Sequence, residues 1–107
     1  MLRGDIVTVA APGDFGKPRP ALVIQSDLFS EHPMVTLCLL TGELRNLSLF
    51  RLTLEPALGN GLEKRSQVQI DKIMTVRREK IGRVIGRLSN QELLEIDRAL
   101  ALWIGLA

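Results

Sequence analysis

Apolar residues come along this chain in short bursts broken by glycine, proline and charge, a spacing that suits strands far better than long helices. Ile6-Val7-Thr8-Val9 predicts a first strand and Ala21-Leu22-Val23-Ile24-Gln25 a second. The turn-rich Pro12-Gly13-Asp14-Phe15-Gly16 lies between them, so the two are expected to pair as a hairpin with a long loop. The run 35–40 is too continuously apolar to keep a wet face, whereas Leu47-Ser48-Leu49-Phe50-Arg51-Leu52-Thr53-Leu54 alternates strictly, as a half-buried antiparallel strand does. Pro56 and Gly59-Asn60-Gly61 then break the chain. In the next predicted strand, 66–70, Val68 and Ile70 turn one way and Gln67 and Gln69 the other, outward or into a cleft. Residues 77–80 predict a short helical turn. Gly82 and Gly86 fit a twisted or bulged strand over 81–88 better than a helix.

A helix is expected to start at Ser89-Asn90-Gln91-Glu92, which has the form of a capping box: the serine side chain serves an early backbone N–H and Glu92 reaches back to the cap. Leu93, Ile96, Leu100, Trp103 and Ile104 share one stripe at helical spacing, and Gly105 is a C-terminal stop signal. On that stripe Trp103 reads as a core or interface residue rather than a platform for a stacked base. With 107 residues, 46% of them apolar, and no repeat or linker, the chain is expected to form one domain over 1–107.

Charge changes the picture locally. The net charge is only +2, yet 77–87 carries Arg77, Arg78, Lys80, Arg83 and Arg87 against a single acid, Glu79, which points to an anionic partner on one face. The lone Cys38 allows no internal disulfide and reads as a small buried hydrophobe, so a reducing cytoplasm fits. The longest apolar runs are much too short to span a membrane, and Arg3 and Asp5 sit where an export signal would need an apolar stretch.

Several chemistries lack their residues. There is one histidine, His32, in the hydrophilic loop Ser30-Glu31-His32-Pro33, where a solvated side chain is expected; the carboxylates are scattered; and no phosphate-binding glycine loop occurs. No metal or cofactor is therefore expected. Arginine, hydroxyl and carboxylate groups remain. Among them Arg19 stands out, because Pro18 and Pro20 hold it in an extended, stiff segment at the mouth of an apolar strand. A guanidinium placed there with little freedom left to lose suits a phosphate.

Arg3-Gly4-Asp5-Ile6-Val7 followed by Gly16-Lys17-Pro18-Arg19-Pro20-Ala21-Leu22-Val23-Ile24-Gln25 resembles the N-terminal signature of the MazF/PemK toxins. The likeness continues through Leu40-Thr41-Gly42, Asp71 and Ile85-Gly86-Arg87-Leu88, and so covers nearly the whole chain. It implies an α+β, mainly β fold, a small twisted antiparallel SH3-like barrel with a C-terminal helix. It also implies a cytoplasmic homodimer that cuts single-stranded RNA without metal and is neutralised by an antitoxin with an acidic, partly disordered tail. In such enzymes the ribose 2′-hydroxyl attacks the adjacent phosphate and leaves a cyclic phosphate and a free 5′-hydroxyl.

By the same resemblance Arg19 would stabilise charge on the phosphate, Thr41 would hydrogen-bond it or the 2′-hydroxyl, and Asp71 would act as general base or orient the nucleophile. Lys17, Gln25, Arg45, Gln69 and Arg77 complete the expected RNA-binding set. The chain departs from the pattern at Gly42, where many members have serine, and at Lys72 and Met74, where glutamine and arginine are common. Gln69 occupies the place of a second catalytic arginine in some members. Two alternatives stand beside the ribonuclease: a CcdB-like gyrase poison, loosely suggested by Trp103-Ile104-Gly105, and a non-catalytic member that only binds RNA or antitoxin.

Overall fold

The computed structural model describes residues 1–10, 17–47 and 49–107, so the expected 12–16 turn lies outside the described residues. Among these described residues, six strands and one helix follow in order: β1 (Asp5–Val9), β2 (Arg19–Val23), β3 (Met34–Thr41), β4 (Arg51–Leu54), β5 (Ser66–Arg77), β6 (Ile81–Arg87) and α1 (Asn90–Trp103). Single 3-10 turns at Asp27–Phe29 and Arg78–Lys80 join β2 to β3 and β5 to β6. The strands form one sheet in the order β4-β5-β3-β2-β1-β6, with every neighbour antiparallel.

Side-chain alternation gives this sheet two apolar faces. On one, Ile6, Leu22, Cys38, Leu40, Leu54, Val68 and Ile70 pack against Ile96, Ala99 and Leu100 of α1. On the other, Val7, Val9, Ala21, Val23, Val35, Leu37, Leu39 and Val76 form a second cluster. Nearly every residue of β3 is therefore covered, which is why its sequence shows no alternation. Cys38 is buried in the first cluster, where desolvation, followed by the nearby charge of Asp71, pushes its thiol up to about 12 and makes it inert at neutral pH.

The helix begins as its sequence predicts. Glu92 N donates to Ser89 Oγ at 3.1 Å while Ser89 N donates to Glu92 Oε1 at 2.9 Å, a cap whose removal typically costs about 1 kcal/mol.

At the edges of the sheet, the 55–62 loop after β4 lies across β6. Asn60, 3% exposed, organises this loop. Its Oδ1 accepts from Ala57 N and Leu62 N, and its Nδ2 donates to Glu55 O. Arg87 N donates to Gly59 O at 2.8 Å, tying the loop to the strand. Gly61 has φ +69°, and a Cβ there would strike Ile85 O; a Cβ on Gly86 would strike the Asn60 backbone. The sheet is twisted and left open, with this loop rather than strand pairing bringing its two edges together.

Two strands differ from their sequence reading. The alternating 47–54 segment becomes a strand only from Arg51, because Phe50 N and Arg51 N both turn back to Leu47 O, and Leu49 is left 70% exposed. Conversely, β5 runs seven residues beyond the expected end at Ile70, to Arg77. It does so through a large bulge: from Val68 to Ile73 β5 uses five residues where β3 advances only from Leu40 to Cys38.

Candidate active site

The strand registers gather one polar row. Ala21 faces Leu39, so the next pair on the same face toward that end is Arg19 and Thr41; Thr41 faces Gln67, and Gln67 faces Thr53. Their neighbours Leu40, Val68 and Leu54 belong to the helix-side core. The row of Arg19, Thr41, Gln67 and Thr53 therefore crosses β2, β3, β5 and β4 on the face away from the helix.

Each member is oriented by its surroundings. Arg19 donates from a terminal guanidinium nitrogen to Leu40 O at 3.2 Å, which turns the side chain toward β3. Thr41 Oγ1 accepts from Glu43 N at 3.1 Å. That bond uses one lone pair and leaves the hydroxyl hydrogen to be donated elsewhere. Gln67, 5% exposed, donates from Nε2 to Arg45 O and Thr53 Oγ1, while its Oε1 accepts from Arg45 N. By exchanging both backbone bonds with Arg45 it acts as a short strand substitute and holds the 42–47 loop over the row. The Arg45 side chain stays exposed and pairs with Glu43 at 2.8 Å, a contact of little energetic weight on a wet surface.

The β5 bulge supplies the next groups. Arg51 faces Gln69 in the register and donates from Nε to Asp71 Oδ1 at 2.8 Å and from a terminal nitrogen to Asp71 Oδ2 at 3.2 Å. Arg51 is only 5% exposed in its side chain. This hydrogen bonding outweighs desolvation and holds the Asp71 carboxyl below its ordinary value of 3.8. Gln69, 7% exposed, lies beside the pair. Among the described residues, no group of three or more His, Cys, Asp or Glu side chains is placed to hold a metal ion.

Of the residues singled out in the sequence, Arg19 and Thr41 stand together, Asp71 and Gln69 lie further along the same strand system, and Lys17 is exposed just before β2. Gln25 and Arg77 are not brought to this row. Gln25 lies past the far end of β2, where its carboxamide is spent on Phe29 O, Met34 O and Thr36 N. Arg77 faces Met34 at the far end of β3 and pairs loosely with Glu79 at 3.9 Å.

Nor does the basic run form one face. Arg78 is consumed by the carbonyls of Ser30 and His32, and Arg87 pairs with Asp5 at 2.8 Å. His32 is exposed and its Nδ1 accepts from Met34 N, a loop-shaping role. Trp103 packs against Phe50 with ring centroids 5.5 Å apart, yet is 49% exposed. Sequence reasoning missed Gln67, Thr53 and Arg51 as members of the site. The usable signal was the Gln-x-Gln pattern, two amides on one strand face opposite a polar position of β4.

The comparisons with known proteins agree with one another. Residues 2–104 match the family model described as PemK-like, MazF-like toxin of type II toxin-antitoxin system. The chain is 41% identical over 108 residues to a probable endoribonuclease MazF of Mycolicibacterium smegmatis, covering 100% of this chain and 99% of that protein. It is 28% identical to endoribonuclease MazF9 of Mycobacterium tuberculosis, covering 99% and 98%. In fold it is similar to a mycobacterial endoribonuclease solved in complex with its cognate antitoxin, with a TM-score of 0.83 at 23% identity over 100% of this chain and 97% of that one. The chain belongs to the PemK-like, MazF-like toxins of type II toxin–antitoxin systems.

Proposed function

We propose that this protein is the toxin of such a pair and acts as an endoribonuclease on single-stranded RNA, with its single domain spanning 1–107. The observation that carries this reading is the juxtaposition of Arg19 and Thr41 at the end of one sheet face. In the proposed reaction the 2′-oxygen forms a bond to phosphorus, and the bond from phosphorus to the 5′-oxygen breaks. The 2′-hydroxyl proton passes to water and the departing oxygen takes one up, leaving a cyclic phosphate and a 5′-hydroxyl.

Arg19 stabilises the extra negative charge on the phosphate, for which a fixed guanidinium needs only position. A guanidinium does not release a proton readily, so proton donation is the weaker role for it. Thr41 donates its remaining hydrogen to a phosphate oxygen. Asp71 is set aside as general base, because both its oxygens are engaged by Arg51 and its lowered pKa makes it a weak proton acceptor. It serves instead to fix the bulge. The family assignment favours this ribonuclease over the gyrase-poison alternative.

Purified protein is expected to cut unpaired RNA in the presence of a chelator and to leave 5′-hydroxyl ends, checked by mapping the new ends. Absence of cutting across diverse unpaired RNAs would refute the reading.

The expected partners are a second copy, an antitoxin with an acidic tail, and RNA, all in the cytoplasm. The helix-end residues Leu102, Trp103, Ile104 and Leu106 are exposed apolar surface of a kind that a partner copy would cover. Sedimentation at micromolar concentration should give a dimer mass, and a monomer would contradict it.

A further inference from the structure

The two glutamines of β5 offer an internal comparison. Both face away from the helix, and both are more than nine-tenths buried, Gln67 at 5% and Gln69 at 7% exposed. Gln67 uses its carboxamide fully, on Arg45 and Thr53. Among the described residues the Gln69 carboxamide has no hydrogen-bond partner. A buried amide left in that state costs stability that an apolar side chain of similar length, such as methionine, would not. Its position gives the cost a purpose. Gln69 opens the β5 bulge, next along the strand face from the row of Arg19, Thr41 and Gln67, and its cross-strand neighbour Arg51 is turned onto Asp71.

We infer that Gln69 is a specificity-determining residue, whose carboxamide receives the edge of one unpaired nucleobase next to the scissile phosphate. An amide presents a donor and an acceptor side by side, and the Watson–Crick or Hoogsteen edge of a base presents the complementary pair. A neutral group suits this task better than a cation, because it discriminates by hydrogen-bond pattern instead of adding attraction common to every sequence. The inference rests on the ribonuclease reading above and goes beyond it to the residue that selects the substrate.

The test is end-mapping on a randomised single-stranded RNA with wild type, Gln69→Met and Gln69→Glu, alongside their melting temperatures. Gln69→Met is expected to keep or raise the melting temperature. It should lose discrimination at one position of the cleavage motif by about 10–100-fold, the scale of one well-placed amide–base contact. Gln69→Glu, which keeps the acceptor but loses the donor, should shift the preferred base at that same position. If wild type cuts and Gln69→Met shows the same motif, the inference fails while the ribonuclease reading stands. A lowered melting temperature in Gln69→Met would assign the amide to structure and also overturn it. Absence of cutting by wild type would remove both.

Discussion

Replacing Arg19 with alanine is expected to lower RNA cleavage by about 10²–10³-fold, the usual loss when one fixed donor to developing negative charge is removed. The fold should survive, because Arg19 stands at the start of β2, partly exposed, and the apolar anchors of that strand are Ala21, Leu22 and Val23. Pro18 and Pro20 persist in the variant and keep the backbone extended, so the loss is chemical rather than conformational. Arg19→Lys separates charge from geometry. A lysine restores a positive charge but cannot reproduce the planar fork or its bond to Leu40 O, and should recover only part of the rate. Binding of uncut RNA should weaken much less than the rate falls, because the charge that Arg19 meets grows in the transition state. Single-turnover rates of the two variants, with melting curves, decide this. Equal loss of affinity and rate would make Arg19 a binding residue only.

Arg19 was visible in the sequence because proline leaves a local mark. The capping box at Ser89 and Glu92 was visible for the same reason: both its partners lie within one helical turn. The strands were legible where the run is mostly apolar, as in β1 and β3, both of which are buried on both faces. What escaped was set by distant pairing. The 47–54 segment alternates like a strand throughout, but only the part that reaches β5 becomes one, and the backbone turn at Leu47 decides where that begins. Likewise nothing local announces that β5 continues past Ile70, since its second half is held by the first half of β3. Within the site, the sequence leaves Gln67 either outward or in a cleft, because its partners, Arg45 and Thr53, are far away along the chain. Asp71 was found through a family likeness that names a position. The structure added its partner, Arg51.

That partner gives the largest expected effect on stability. Arg51→Met is expected to destabilise the protein by about 2–3 kcal/mol, because it takes two charge-assisted hydrogen bonds from a partly buried carboxylate. The pair is not required because ions pack well; replacing both with apolar residues of similar size, Arg51→Met with Asp71→Leu, should recover much of the loss. A double-mutant cycle in urea would measure the coupling, and additive single losses would refute it. The pair also predicts a pH dependence. Asp71 has its carboxyl held below the ordinary 3.8 by Arg51, so as acid is added the unfolded chain takes up this proton before the folded one does. The stabilisation is therefore complete above 3.8 and is withdrawn as pH falls below that value toward the folded-state pKa. In Arg51→Met this acid-dependent loss should shrink, since the group that depressed the pKa is gone. Because the same pair ties the β5 bulge to β4, the variant should also misplace Gln69, and its cleavage motif should broaden even at temperatures where it remains folded. A variant that is destabilised but cuts the same motif would separate the ion pair from substrate selection.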